Sequence, residues 1–140
     1  MSKEKILKTL HMMVGLPRSG KSTIAKELGF PIVEPDSIRK SVHGQAWLGH
    51  VEPLIWGIAS IMVQSLFAAG HCDVILDATN CTKKRRQIWE SKSWTVQYHL
   101  IDTSEEVCIE RAIDSKQKYL IPIIKRMASS FEPIGNSEDC

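Results

Sequence analysis

The string Gly15-Leu16-Pro17-Arg18-Ser19-Gly20-Lys21-Ser22-Thr23 constrains this chain more than any other feature. The apolar run Leu10–Val14 (LHMMV) stands before it, and Lys21–Leu28 reads as a helix closed by Gly29. A G-x-x-x-x-G-K-[ST] loop between strand and helix lets successive backbone N–H groups point inward, toward one anion. Lys21 adds a cation suited to β and γ phosphates, and the helix N-terminus adds partial positive charge. The Ser22 hydroxyl is the expected magnesium ligand. Residues Gly15 to Thr23 are therefore candidate contacts to a nucleoside triphosphate, with ATP and Mg2+ as the implied cofactors. A strand apolar on both faces needs cover on both sides, so the motif also points to a parallel sheet.

The rest of the chain fits that frame. Ile32-Val33 reads as a second strand between Pro31 and Pro35, and Asp36 is placed to cap a helix through Val42 that Gly44 ends. A long apolar helix runs from about Val51 to Ala69, and Asp73–Asp77 (DVILD) makes a third strand. A polar helix spans Lys83–Lys92, and Val96–Ile101 makes a fourth strand. Thr103-Ser104-Glu105-Glu106 has capping-box spacing and opens a helix through Asp114, and a last helix covers Ile123–Phe131. Strands alternating with helices predict a three-layer α/β domain around a central parallel sheet of four or five strands. No repeat or linker divides the chain, so residues 1–140 read as one domain with a lid segment at about 111–122.

Composition narrows the class further. With 140 residues, 43% of them hydrophobic and 24% charged, the chain builds one core and does not suit disorder, collagen or coiled coil. The net charge of +2 neither demands nor forbids a polyanion. Cys72, Cys81, Cys108 and Cys140 form no CxxC and read as reduced thiols. About twenty uncharged residues separate Glu52 from Asp73, the length of a membrane span. Pro53, Gly57, Ser60 and Gln64 interrupt them, which favours a core helix over a span and predicts no membrane partner. Met1–Lys8 is mixed and charged, unlike a signal peptide, so the expected location is the cytoplasm.

Which nucleotide enzyme is it? A switch GTPase needs N-K-x-D, and none is present; a hydrolytic motor places glutamate after its second acidic motif, but Ala78 follows Asp77. A kinase remains. Asp36 and Arg39, three apart on one helical face after the second strand, can serve as general base and phosphate clamp on an acceptor. Their plainer roles are a helix cap and a surface ion pair. Asp77 can orient magnesium, and Thr79 or Asn80 can hydrogen-bond the acceptor, unless they merely form an Asx turn. Arg111, Lys116 and Lys118 are cations able to close over a triphosphate. Lys83-Lys84-Arg85-Arg86 is either a solvated helix face or a contact for nucleic-acid phosphates. Trp47, Trp56, Trp89 and Trp94 are core or groove candidates, and His43 and His50 show no ligand spacing.

Taken in order, GLPRSGKST, DSIR, ILDATN, ERA, IPIIKRM and FEP resemble the P-loop kinase family of the bacteriophage polynucleotide kinase, over about residues 10–134. The resemblance implies transfer of the ATP γ-phosphate to a 5′-hydroxyl of DNA or RNA. It matches Lys21 and Ser22 to the nucleotide site, Asp36 to the general base, Arg39 to the acceptor's 3′-phosphate and Arg111 to a lid arginine. Lys116 stands where a second lid arginine is expected, and lysine lacks the planar fork. No phosphatase domain follows in this sequence. The function expected is thus an ATP- and magnesium-dependent kinase acting on a nucleic-acid 5′ end. Three alternatives stay open: a kinase of a nucleoside, sugar or antibiotic, a kinase of a hydroxymethylated base in DNA, and a nucleotide-binding regulatory module with no acceptor. Oligomeric state is not legible.

Overall fold

Strand β1 (Thr9–Val14) carries the alternation that organises the molecule. Leu10, Met12 and Val14 point to one face, His11 and Met13 to the other, and all are buried. A computed structural model describes residues 7–44 and 49–135; Trp47, Cys140 and most of Met1–Lys8 lie outside the described residues. After β1 come α1 (Lys21–Leu28), β2 (Ile32–Val33), α2 (Pro35–His43) and α3 (Glu52–Ala68). Then follow β3 (Asp73–Leu76), α4 (Lys83–Gln87), β4 (Thr95–Leu100), α5 (Glu105–Asp114) and α6 (Ile121–Ser130). The strands form one parallel sheet in the order β2-β3-β1-β4, with Leu10 opposite Val74 and Val96. The expected α/β class is therefore present, with four strands among the described residues.

One face of the sheet packs Leu10, Met12, Val14, Val74 and Leu76 against Ile55, Ala59, Val63 and Phe67 of α3. The other packs Met13, Ile75 and Ile101 against Ala25 of α1. A third cluster joins Cys108 and Ala112 of α5 to Ile124 of α6, with Leu16 packed against it. Because all strands are parallel, their C-terminal ends share one edge, and the loop after β1 and the start of α2 both open there.

Several local expectations shift. Glu34, not Asp36, is the N-cap of α2, because Pro35 takes the first helical position, where its missing N–H costs nothing. Ser104, not Thr103, caps α5, accepting from the Val107 N–H, while the Thr103 hydroxyl donates to Ser19 O at 2.7 Å. Helix α4 ends at Gln87, short of Lys92, because Trp89 turns into the core and its carbonyl accepts from Trp94 Nε1 at 2.8 Å. Helix α6 begins at Ile121, two residues early, since Pro122 fits its first turn. The stretch Gly49–Ala68 is long and apolar enough to cross a membrane by length and composition. Only one face of α3 is buried, however; Leu54 and Ile61 lie more than half exposed on the other.

Candidate active site

The loop between β1 and α1 curls because Arg18 (φ 67°) and Gly20 (φ 102°) both take left-handed backbone. Gly15 is fixed by space: a Cβ there would stand 2.8 Å from Ser19 Oγ and 3.1 Å from Ile101 O. Gly20 caps α1 without any side-chain hydrogen bond, so the first N–H groups of the helix face the loop unpaired by a side chain. Lys21 Nζ folds back to donate to Leu16 O at 2.7 Å. Burial pushes its ammonium below the ordinary lysine value, against the opposing pull of Asp77 and, more weakly, Asp36. The Ser19 hydroxyl is buried without a partner. A glycine cradle, a desolvated ammonium and a buried orphan hydroxyl together fit a phosphate group.

The Ser22 hydroxyl donates to Asp77 Oδ2 at 2.8 Å, joining α1 to the end of β3. Burial raises the Asp77 carboxyl, and the nearby Glu34 carboxylate raises it further, against the hydrogen bond from Ser22. Two carboxylates and a hydroxyl are hard oxygen donors, and bringing the acids together is costly without a cation. That set fits magnesium held jointly with nucleotide phosphates. Among the described residues no cluster of histidine, cysteine and carboxylates would hold a metal alone.

On α2 Arg39 Nη1 donates to Asp36 Oδ1 at 2.6 Å. Its Nε and Nη2 grip Glu52 Oε2 and Oε1 at 2.9 and 2.6 Å. Burial alone would lift the Glu52 carboxyl, but the bonds and charge of Arg39 hold it below its ordinary value. Burial likewise disfavours the Arg39 charge, yet Glu52 and Asp36 raise its pKa above the ordinary arginine value. The Arg39 side chain is only 12% exposed while that of Asp36 is 63% exposed, so the arginine is built in and the aspartate is open to solvent. Sequence reading overlooked Glu52 and Glu34. The signals were there: Glu52 is the single charge opening an uncharged helix, and Glu34 sits directly between β2 and Pro35.

The remaining candidates divide. Arg111 reaches the loop, with Nη1 donating to Arg18 O at 3.2 Å and lying beside Gly20. Lys116 is exposed in a left-handed turn (φ 59°) after α5, and neither it nor exposed Lys118 has a contact to the loop. The segment 111–122 is the end of α5, a tight turn and the start of α6. The Thr79 carbonyl accepts from Gly15 N at 3.0 Å, which holds the mouth of the loop. Asn80 is turned inward instead: buried, with φ 46°, its amide donates to Met13 O at 2.8 Å and ties β3 to β1. Arg86 is wholly buried, donating to Asn80 O and Glu132 O, so only Lys83, Lys84 and Arg85 of the basic run are exposed.

Solved structures similar to this chain in fold include the one titled Pnkp1/Rnl/Hen1 complex, at TM-score 0.70 and 23% identity over 79% of this chain and 41% of that one. A gluconokinase from Sinorhizobium meliloti 1021 matches at TM-score 0.64 and 17% identity, covering 97% of this chain and 82% of that one. A fungal RNA kinase matches at TM-score 0.58 and 16% identity, covering 95% and 68%. The chain spans 41% and 51% of the length of the two Pnkp1/Rnl/Hen1 chains it resembles. At these identities the likeness establishes the fold, a P-loop kinase-like one. No curated protein matches the chain. The AAA domain model matches residues 10–133, nearly the whole length, and the chain belongs to that family.

Proposed function

We propose that this chain is an ATP- and magnesium-dependent kinase that phosphorylates the 5′-hydroxyl of a polynucleotide, the activity of the bacteriophage polynucleotide kinase family. The observation that carries this reading is the Asp36–Arg39 pair at 2.6 Å on α2, at the same sheet edge as the phosphate loop. Asp36 would take the proton as the hydroxyl oxygen bonds to the γ-phosphorus and the bond to the departing diphosphate oxygen breaks. Lys21 and Arg111 would hold the phosphoryl oxygens, and catalysis would come mainly from positioning and charge stabilisation. Ser22 and Asp77 would hold magnesium, which supplies neutralising charge to the phosphates. Glu52 would keep the Arg39 guanidinium in place to meet a phosphate on the acceptor.

The test is incubation with labelled ATP and a panel of acceptors: 5′-hydroxyl oligomers, nucleosides, gluconate and other sugars. Label on the oligomer supports the reading, and label on a small acceptor alone overturns its polynucleotide part. A second reading, a small-polyol kinase, draws on one observation. The three donor nitrogens of Arg39 described here are all engaged by carboxylates, so Asp36 and Glu52 could instead accept hydrogen bonds from hydroxyl groups.

A further inference from the structure

Helix α3 runs opposite to the strands, so its first turns lie at the sheet edge that carries Asp36 and Arg39. Trp56, one turn after Glu52, has the Arg39 guanidinium 5.9 Å from its ring centroid and that of Arg85 at 4.6 Å. The ring of Trp89 follows at 6.3 Å from Trp56. Trp56, Arg85 and Trp89, with Trp94, Ile88 and Glu90, line a cavity of about 230 Å³ that Arg39 itself does not reach. Ile88, 63% exposed, gives that lining an apolar wall. The cavity contains none of the phosphate-loop residues, so the nucleotide site described above leaves it unused.

From this geometry we infer that the cavity is a stacking subsite for one nucleobase of a single-stranded acceptor, beginning one side chain away from the Arg39 clamp. This rests on the polynucleotide reading and extends it to a named surface. The occupant follows from chemistry. The exposed Arg85 guanidinium, laid over the Trp56 indole, offers a flat, sequence-tolerant platform of the kind that holds unpaired bases. The volume suits a single ring system rather than a whole drug-sized ligand. Exposed Lys83 and Lys84 stand on the same short helix as Arg85, so a chain of phosphates leaving the cavity meets cations. Glu90 at the rim is the one acid among the lining residues, and it suits an exocyclic amine of a base.

The experiment uses 5′-hydroxyl RNA decamers, natural or with an abasic residue at one of the first three positions. Transfer from labelled ATP and decamer binding by fluorescence anisotropy are both measured. One abasic position should lower kcat/KM and binding by about 5- to 150-fold, the range for loss of one stacked base. Arg85→Ala and Trp94→Leu should lose most of that discrimination while the KM for ATP stays put, with melting curves checking the fold. Equal use of every decamer by the wild type would overturn the subsite and leave the kinase reading standing. Binding that senses the abasic position without any transfer would uphold the subsite and sink the kinase reading. Neither transfer nor binding would overturn both.

Discussion

Arg39 and Glu52 are joined by two parallel hydrogen bonds in a setting where each side chain is only 12% exposed. The pair links the second turn of α2 to the first turn of α3. The folded Glu52 carboxyl lies below the unfolded value near 4.5, so its contribution is present above that pH and is lost as pH falls through the folded value. Glu52→Gln should cost about 1.5–3 kcal/mol at neutral pH, and the gap to wild type should narrow below pH 4. Urea melts across pH would check it; a constant gap would remove the ion pair from the account.

Lys21 carries a different trade. Its charge is disfavoured by burial in the loop, so Lys21→Met should keep or raise the melting temperature of the unliganded protein. The same change should abolish the stabilisation given by Mg-ATP and stop transfer. Undiminished phosphate transfer by this variant would end the kinase reading.

Asp36→Asn retains the shape and a partner for Arg39 but removes the base. A kcat lower by roughly 10²–10⁴ is expected, with ATP binding unchanged. A loss of stability alone, with normal kcat, would make Asp36 only a first-turn helix residue.

Within the basic run the neighbours should behave oppositely. Arg86→Ala removes the buried guanidinium that holds the carbonyls of Asn80, Glu132 and Pro133 and should cost more than about 3 kcal/mol. Charge reversal of Lys83 and Lys84 should leave stability within about 0.5 kcal/mol. It should raise the KM for a polynucleotide and flatten its salt dependence by about 0.7 per lost phosphate contact. Thermal melts and salt titrations separate the two classes.

A line of polar groups crosses the sheet beneath α1: Asp73 Oδ1, His11 and His99, with contacts of 2.8 and 2.9 Å. Burial, and then the His11 ring, lower the His99 pKa. The unfolded chain therefore protonates first, and stability should fall as pH drops below about 6.5. His99→Gln should flatten that segment of the stability profile; an unchanged slope would assign the effect elsewhere.

What the sequence made legible was local. The phosphate loop, the span of α1 and the four strands follow from short-range chemistry, namely glycines, alternation and apolar runs. Asn80, Arg86 and Glu52 were harder because their partners are distant in sequence: Met13, Glu132 and Arg39 respectively. A buried arginine looks like a surface arginine until the carbonyls that surround it are known. The cap of α2 was misplaced by one or two residues because Pro35, not an acceptor side chain, decides where that helix starts.

The strand order has a consequence for synthesis. Strand β1 is made before both of its neighbours, β3 and β4, so its Leu10–Val14 run has no lateral partner until the chain has reached Leu76 and lacks the second until Leu100. At ribosomal speeds the first of those intervals is roughly 3–12 s, during which an apolar segment must be shielded by something other than its own sheet. The loop Gly15–Lys21, anchored on β1 and tied by Gly15 N to Thr79 O, therefore cannot reach its final form before β3 is made.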